Sequence, residues 1–459
     1  MRTYKLTIPL FCLALLAGCA NLAPDYARPD LPVPARLDGS AAVGTAAAAP
    51  LNWQQVVTDT RLKQAIDQAL ANNRDLRVAV LNIEKARAQY RIDNAALIPA
   101  VSASASGASS SANDVITRKY SAGLGVSSYE IDFFGRLNNL KEASLQSFLS
   151  TEATQRSVRT SLIAETTNAW LTLAANQQQL KLAQETYATR TKTLELTRKQ
   201  QTLGGTSRLT LAQTEATAES SHGEVARYTA LVEQSRNALN LLAGTTVPGE
   251  ALPAASDDSS AVALTLVDVP AGLSSEVLLQ RPDITAAEHT LIGAYADIGA
   301  ARAAFFPSIT LTASGGSASS ALSGLFGAGS GVWSFVPTLT LPIFNAGKLS
   351  AALTVAETER DIQVATYEKT IQTAFREVAD ALAERSTLNE RLAAQEAQVA
   401  AYSTALRLST ERYRSGADSY LNVLDSQRSL YSAQSSLIAL RLTEQANRMT
   451  LFKTLGGGS

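Results

Sequence analysis

From Leu388 onward the apolar positions advance by four and three residues, through Leu392, Gln395, Val399, Tyr402, Leu406, Ser409 and Tyr413. This is a heptad seam with two polar lapses. The seam lies in Lys348–Ser415, 68 residues without a glycine or proline, which predicts one helix about 100 Å long. Beside it runs a stripe of small residues, Ala393, Ala394, Ala397, Ala400, Ala401 and Ala405. Two faces of the helix therefore call for neighbours, as in a closed ring of helices.

The pattern occurs twice. A constant separation of 212 positions pairs Gly135 with Gly347, Gly204 with Gly416, Leu209 with Leu421 and Gly244 with Gly456. The seam repeats at Leu180, Tyr187 and Leu194, inside a second 68-residue run, Arg136–Leu203. Upstream the separation is 208, pairing Asp75, Pro99, Val101 and Gly107 with Asp283, Pro307, Ile309 and Gly315. The chain is thus an internal tandem duplication, with a four-residue change between its two matched blocks.

A different period stands between the helices. Val101, Ala103 and Ala105 alternate with serines before a Ser-rich loop, and Tyr120, Ala122, Leu124 and Val126 alternate after it. In the second copy Ile309, Leu311 and Ala313 precede the Gly-rich stretch Gly315–Gly331, followed by Trp333, Phe335, Leu339 and Leu341. Period two predicts two strand hairpins, at about 100–130 and 308–342. Strands of about ten residues match a tilted bilayer span. Four cannot close a barrel, and an open edge is not tolerated in lipid, so the strands must belong to an oligomer. Phe133, Phe134, Phe305, Phe306 and Phe344 cluster where strand meets helix, as an interfacial girdle would.

The remaining segments follow from composition. Trp53–Leu70 reads as one short helix, and Asp75–Ile98 as a second, ended by Pro99. Each long helix turns at Gly204-Gly205 or Gly416 and returns, giving helix hairpins at 136–243 and 348–455. The resulting plan is a first repeat at 51–244, a linker at 245–272 and a second repeat at 273–456.

Charge adds little, with 40 Lys and Arg against 41 Asp and Glu, so nothing points to nucleic acid. Residues 1–18 have a basic start, an apolar middle and the ending Leu16-Ala17-Gly18-Cys19, the layout of an export signal. That ending resembles the bacterial lipobox, which implies lipidation at Cys19 and an anchored tether over 19–50. Ala20, in place of Asp, implies outer-membrane sorting. His222 and His289 have no Cys or His partner at metal spacing, and the glycines of 324–331 lack the Lys-Ser/Thr of a phosphate loop. No nucleophile, acid-base pair or cofactor site stands out, so the chain is read as a non-enzyme.

Four segments carry a family resemblance: Glu130-Ile-Asp-Phe-Phe-Gly-Arg136, Gln280-Arg-Pro-Asp-Ile284, Leu341-Pro-Ile-Phe-Asn-Ala-Gly347, and the run from Tyr413 through Gly416, Leu421 and Asp425 to Arg428. Together they resemble the outer membrane factor (TolC-like) family, in its lipoprotein branch similar to OprM and NodT-type efflux outer membrane proteins. The resemblance implies an α+β membrane protein. Four strands per chain complete a trimeric, twelve-stranded outer-membrane β-barrel, and long antiparallel helices form a periplasmic α-helical barrel. It implies a homotrimer that serves a periplasmic adaptor and an inner-membrane pump, commonly of the resistance-nodulation-division type, and passes drugs or toxic compounds outward. By position, Leu421 and Asp425 match the residues that narrow the periplasmic opening. Asn422 stands where TolC has an acid. The tips that meet the adaptor are Gly204, Gly205, Thr206 and Ser207, with Gly416, Ala417, Asp418 and Ser419. A protein-secretion conduit of the same architecture, and a structural envelope lipoprotein, are the alternative readings.

Overall fold

The computed structural model describes residues 21–34, 52–254 and 275–457. Cys19, most of the tether and much of the 245–272 linker lie outside the described residues. The elements are helices α1 (Trp53–Val56), α2 (Thr60–Asn72) and α3 (Arg74–Ala95), strands β1 (Val101–Ala112) and β2 (Val115–Ile131), then helices α4 (Arg136–Thr202) and α5 (Arg208–Ala243). The second copy contributes α6 (Pro282–Ala303), β3 (Ser308–Ser319), β4 (Gly331–Thr340), α7 (Lys348–Arg414) and α8 (Tyr420–Thr454). Among the described residues, no helix is long and apolar enough to cross a membrane.

Two sequence expectations are corrected. Trp53–Leu70 is two helices, because Val57 is extended and the Asp59 carboxylate accepts from Arg61 N and Leu62 N to start a new one. The Ser-rich loop is strand almost throughout. Its ladder continues to Ala112↔Val115 and turns on Asn113 and Asp114, both with positive φ (50° and 61°). Two consecutive left-handed residues make the tight turn that suits strand twist. The backbone ladder holds these serines in place whatever their hydropathy. Ser317 and Ser319 likewise extend β3 beyond the first glycines of the Gly-rich stretch.

The chain divides into two compact units. The first holds the sheet, with strand order β1-β2-β3-β4, every pair antiparallel, so β1 and β4 are its edges. Register sorts the residues by face. Val101↔Val126, Ala103↔Leu124, Ile309↔Leu339 and Ala313↔Phe335 share one face, whereas Ser104↔Gly123, Ser106↔Ser121, Thr310↔Thr338 and Ser314↔Ser334 share the other. A bulge between Val126 and Tyr129, with Ser128 at φ 53°, keeps Tyr129↔Leu311 on the apolar face. A β-carbon at Gly316 would lie 2.3 Å from Ala122 O and 2.5 Å from Gly123 Cα. Only glycine fits the polar face there.

In the same unit an extended N-terminal strap lies along α6. Tyr26 Oη and the Arg28 guanidinium both donate to Glu288, at 2.8–3.0 Å, and Arg302 donates to Leu22 O. Tyr26 packs edge-on against Tyr295, and Gly299 leaves room for Ala23. His289 Nδ1 is 2.7 Å from Gln146 Oε1, and burial lowers its pKa, which favours the neutral ring. The Phe134 and Phe306 rings stack at 4.7 Å, while Phe344 is exposed.

The second unit has a helical core built from Trp53, Leu62, Ile66, Leu171, Leu173, Leu239, Met449 and Phe452. Trp170 Nε1 donates to Ala251 O at 3.0 Å, so its buried indole is satisfied. The heptad seam emerges as expected. Leu388 is buried and Leu392, Gln395, Val399, Tyr402, Leu406, Ser409 and Tyr413 are half-buried, while the small-residue stripe is exposed.

The duplication reaches single contacts. All six glycines paired at the separation of 212 have positive φ: 74° and 84° at 135 and 347, 73° and 75° at 204 and 416, 67° and 101° at 244 and 456. Each sits at a helix boundary, where a left-handed residue is needed and glycine adopts it without steric cost.

Candidate functional site

The tips are built alike in both copies. Gly205 N donates to Gln200 O and Gly204 N to Gln201 O; 212 residues on, Ala417 N donates to Arg412 O and Gly416 N to Tyr413 O, all at 2.8–3.0 Å. These paired bonds close the last turn of each long helix around a left-handed glycine. The returning helices start differently. Ser207 Oγ accepts from Thr210 N, whereas Ser419 makes no side-chain cap. Instead Asp418 accepts from Arg412 Nε at 3.2 Å, Ser419 N at 3.0 Å and Asn422 Nδ2 at 2.5 Å. The Arg412 bond and then the Ser419 N–H hold its carboxyl below the usual range. Asp418 and Thr206 are half-exposed, while Gly204, Gly205, Ser207, Gly416, Ala417 and Ser419 are exposed.

Beyond the tip, Tyr420, Val423 and Leu424 pack with Leu406 and Tyr413. This fixes the rotation of α8 and turns Leu421 and Asp425, four residues apart, to its other face. Leu421 is 51% exposed, and Asp425 accepts from Arg428 Nη2 at 2.9 Å. Asn422 is tied to Asp418, so only Asp425 supplies a carboxylate along this turn.

Leu421 and Asp425 line a groove of about 490 Å3 with residues of α4 and α5 that sequence reasoning missed. Arg190 Nη1 donates to Thr217 O at 3.1 Å and Ser221 Oγ at 2.8 Å, while its Nε has no hydrogen-bond partner among the described residues. Burial lowers its pKa. Glu224 is paired to Arg227 at 2.6 Å, and Tyr431 Oη reaches it at 3.4 Å. Burial, then Glu224, pushes the Tyr431 phenol up to about 12. No spacing in the sequence links three helices so far apart in the chain. Of the two histidines, His222 is exposed and stacks on Tyr187 at 5.0 Å, and His289 meets Gln146.

Comparison with known proteins sets these features in context. The model of the family described as outer membrane efflux protein matches residues 65–245 and 273–457. Toluene efflux pump outer membrane protein TtgC of Pseudomonas putida is 45% identical over 99% of this chain and 96% of its own. Cation efflux system protein CusC of Escherichia coli is 43% identical over 98% of both. The open state of the Neisseria gonorrhoeae MtrE outer membrane channel superposes with a TM-score of 0.88 at 38% identity, over 96% of this chain and 98% of that one.

Proposed function

Because this chain belongs to the outer membrane efflux protein family and shares the fold of its channels, we propose that three copies of it form a conduit which an inner-membrane pump and a periplasmic adaptor feed with small toxic molecules. The family is one of transport channels, and this chain is an outer membrane efflux channel. The single observation that carries the trimeric reading is the sheet. It has one apolar and one hydroxyl-rich face, and two unpaired edges, β1 and β4. In lipid each edge needs a partner, and a neighbouring copy offers β4 to β1 without a mismatch. Twelve strands then enclose a water-filled lumen lined by the polar face.

The finer parts of the reading have their own support. The exposed small-residue stripe on α7 suits close helix neighbours in a ring. The repeats at 51–244 and 273–456, joined by the 245–272 linker, each give one strand hairpin and one helix hairpin to the conduit. The strap along α6 brings Leu22 to Arg302, six positions before β3, which suits a lipid anchor at Cys19 in the outer membrane. The pump is of the resistance-nodulation-division type. Relatives of nearly equal similarity are named for toluene and for cations, so the pump, rather than this channel, selects the cargo. Leu421 and Asp425 form the gate, and the two tips meet the adaptor.

The test is direct. Protein purified in detergent gives trimers by native mass spectrometry and ion-conducting pores in planar bilayers. Monomers that never conduct would overturn the reading.

A further inference from the structure

We propose that Lys119 sets the sign of the electric field at the outer mouth of the channel, favouring anionic over cationic solutes there; the idea rests on the three-copy barrel proposed above. Ladder register fixes which way it faces. Lys119 pairs with Ala108 and belongs to the row containing Ser106, Ser121 and Gly123, opposite the row of Leu124, Val126, Trp333 and Phe335. If the apolar row meets lipid, Lys119 faces the lumen.

The inward face is otherwise almost without charge. Across the four strands its residues are serines, threonines, glycines, alanines and valines, with Lys119 and Glu130 the two ionisable ones. Glu130 is neutralised by the Arg136 guanidinium at 2.5 and 2.8 Å, at the helix end of β2. Lys119 makes no ion pair among the described residues and stands one position beyond Tyr120↔Ser319, where the β2–β3 ladder begins. Nearer the hairpin turn, Arg118 lies on the opposite face and Asp114 in the turn itself, while the β3–β4 connection, 320–330, holds no charged residue. Each chain therefore brings a net positive charge to this end, and Lys119 is the part of it that faces in. Three such charges around a watery lumen, about 10 Å from a solute, change the local ratio of anions to cations on the order of twentyfold at 10 mM salt, where screening is weak.

The test places a thiol two residues along the same face. Ser121→Cys, in the full-length channel in cells, is labelled from outside with two thiosulfonates of similar size, one bearing a sulfonate and one a trimethylammonium group. Both react with the same thiolate, so the ratio of their rates cancels any effect of Lys119 on the thiol itself. Lys119→Gln is expected to lower the anion-to-cation rate ratio on the order of twentyfold at 10 mM salt and Lys119→Glu to lower it further. At 1 M salt the difference disappears, and Arg118→Gln, on the opposite face, lowers the ratio less than Lys119→Gln does. An unchanged ratio in a sample that still crosslinks as a trimer overturns the role of Lys119 alone. An unlabelled Ser121→Cys overturns the inward assignment, and loss of the crosslinked trimer in the unmodified chain overturns the barrel reading beneath it.

Discussion

Arg281 and Asn73 occupy matched places in the two copies and make the same contact with different chemistry. Asn73 Nδ2 donates to Leu242 O, and Arg281 Nη1 donates to Thr454 O, 212 positions after Leu242. Both side chains are buried, but Arg281 also pairs with Asp283 at 2.7 Å and Glu377 at 2.9 Å. Arg281→Ala leaves a buried carbonyl unpaired and two half-exposed carboxylates without their cation. It should cost about 2–4 kcal/mol, seen as a lower midpoint of thermal unfolding by circular dichroism in detergent. Arg281→Asn should recover part of that loss by imitating Asn73. A full loss in the asparagine variant would show that the ion pairs, rather than the carbonyl contact, dominate. The residue segment Gln280–Ile284 was legible as a motif, yet its partners on α7 and α8 were not, since they lie about 100 and 170 positions away.

At the scale of elements, the long helices owe their ends to glycine and their unbroken run to the absence of breakers. Both are local properties, so Arg136–Thr202 and Lys348–Arg414 agree with the expected runs to within one residue. The strands were harder to delimit. Ser109–Ser111 carry no hydropathic alternation, and only pairing with Thr117, Ile116 and Arg118 makes them strand. Gly205 and Ala417 each donate the bond that closes a long helix, and both are exposed. Gly205→Trp or Ala417→Trp adds bulk while preserving the backbone N–H. Crosslinking to the adaptor and drug resistance should fall at least severalfold, with trimer yield unchanged. Normal crosslinking in correctly assembled variants would place the adaptor contact elsewhere.

For the whole molecule, threefold symmetry would multiply one exposed face of α8 into a ring. In the proposed gate, three copies of Asp425 would attract cations and three of Leu421 would narrow the opening. Asp425→Ala is expected to weaken cation selectivity, most clearly at low salt, and Leu421→Ala to raise resting conductance and admit large antibiotics without the pump. Wild-type conductance and selectivity in the double variant would move the gate elsewhere. Arg428 pairs with this carboxylate at 2.9 Å and brings an opposing positive charge, so loss of Arg428 should strengthen cation selectivity.

What the sequence by itself determined was whatever depends on neighbours along the chain: helix length, the left-handed glycine at each turn, the heptad seam, the period-two face of each strand and the duplication that repeats them. Tertiary structure decided what depends on distant segments meeting. It joined Arg190 and Glu224 to Leu421 and Asp425 in one groove, tied Asp418 into its own tip, laid the strap along α6 and carried the ladder through serines. A backbone bond or a buried cation takes whichever partner the fold delivers, and spacing along the chain does not encode that partner.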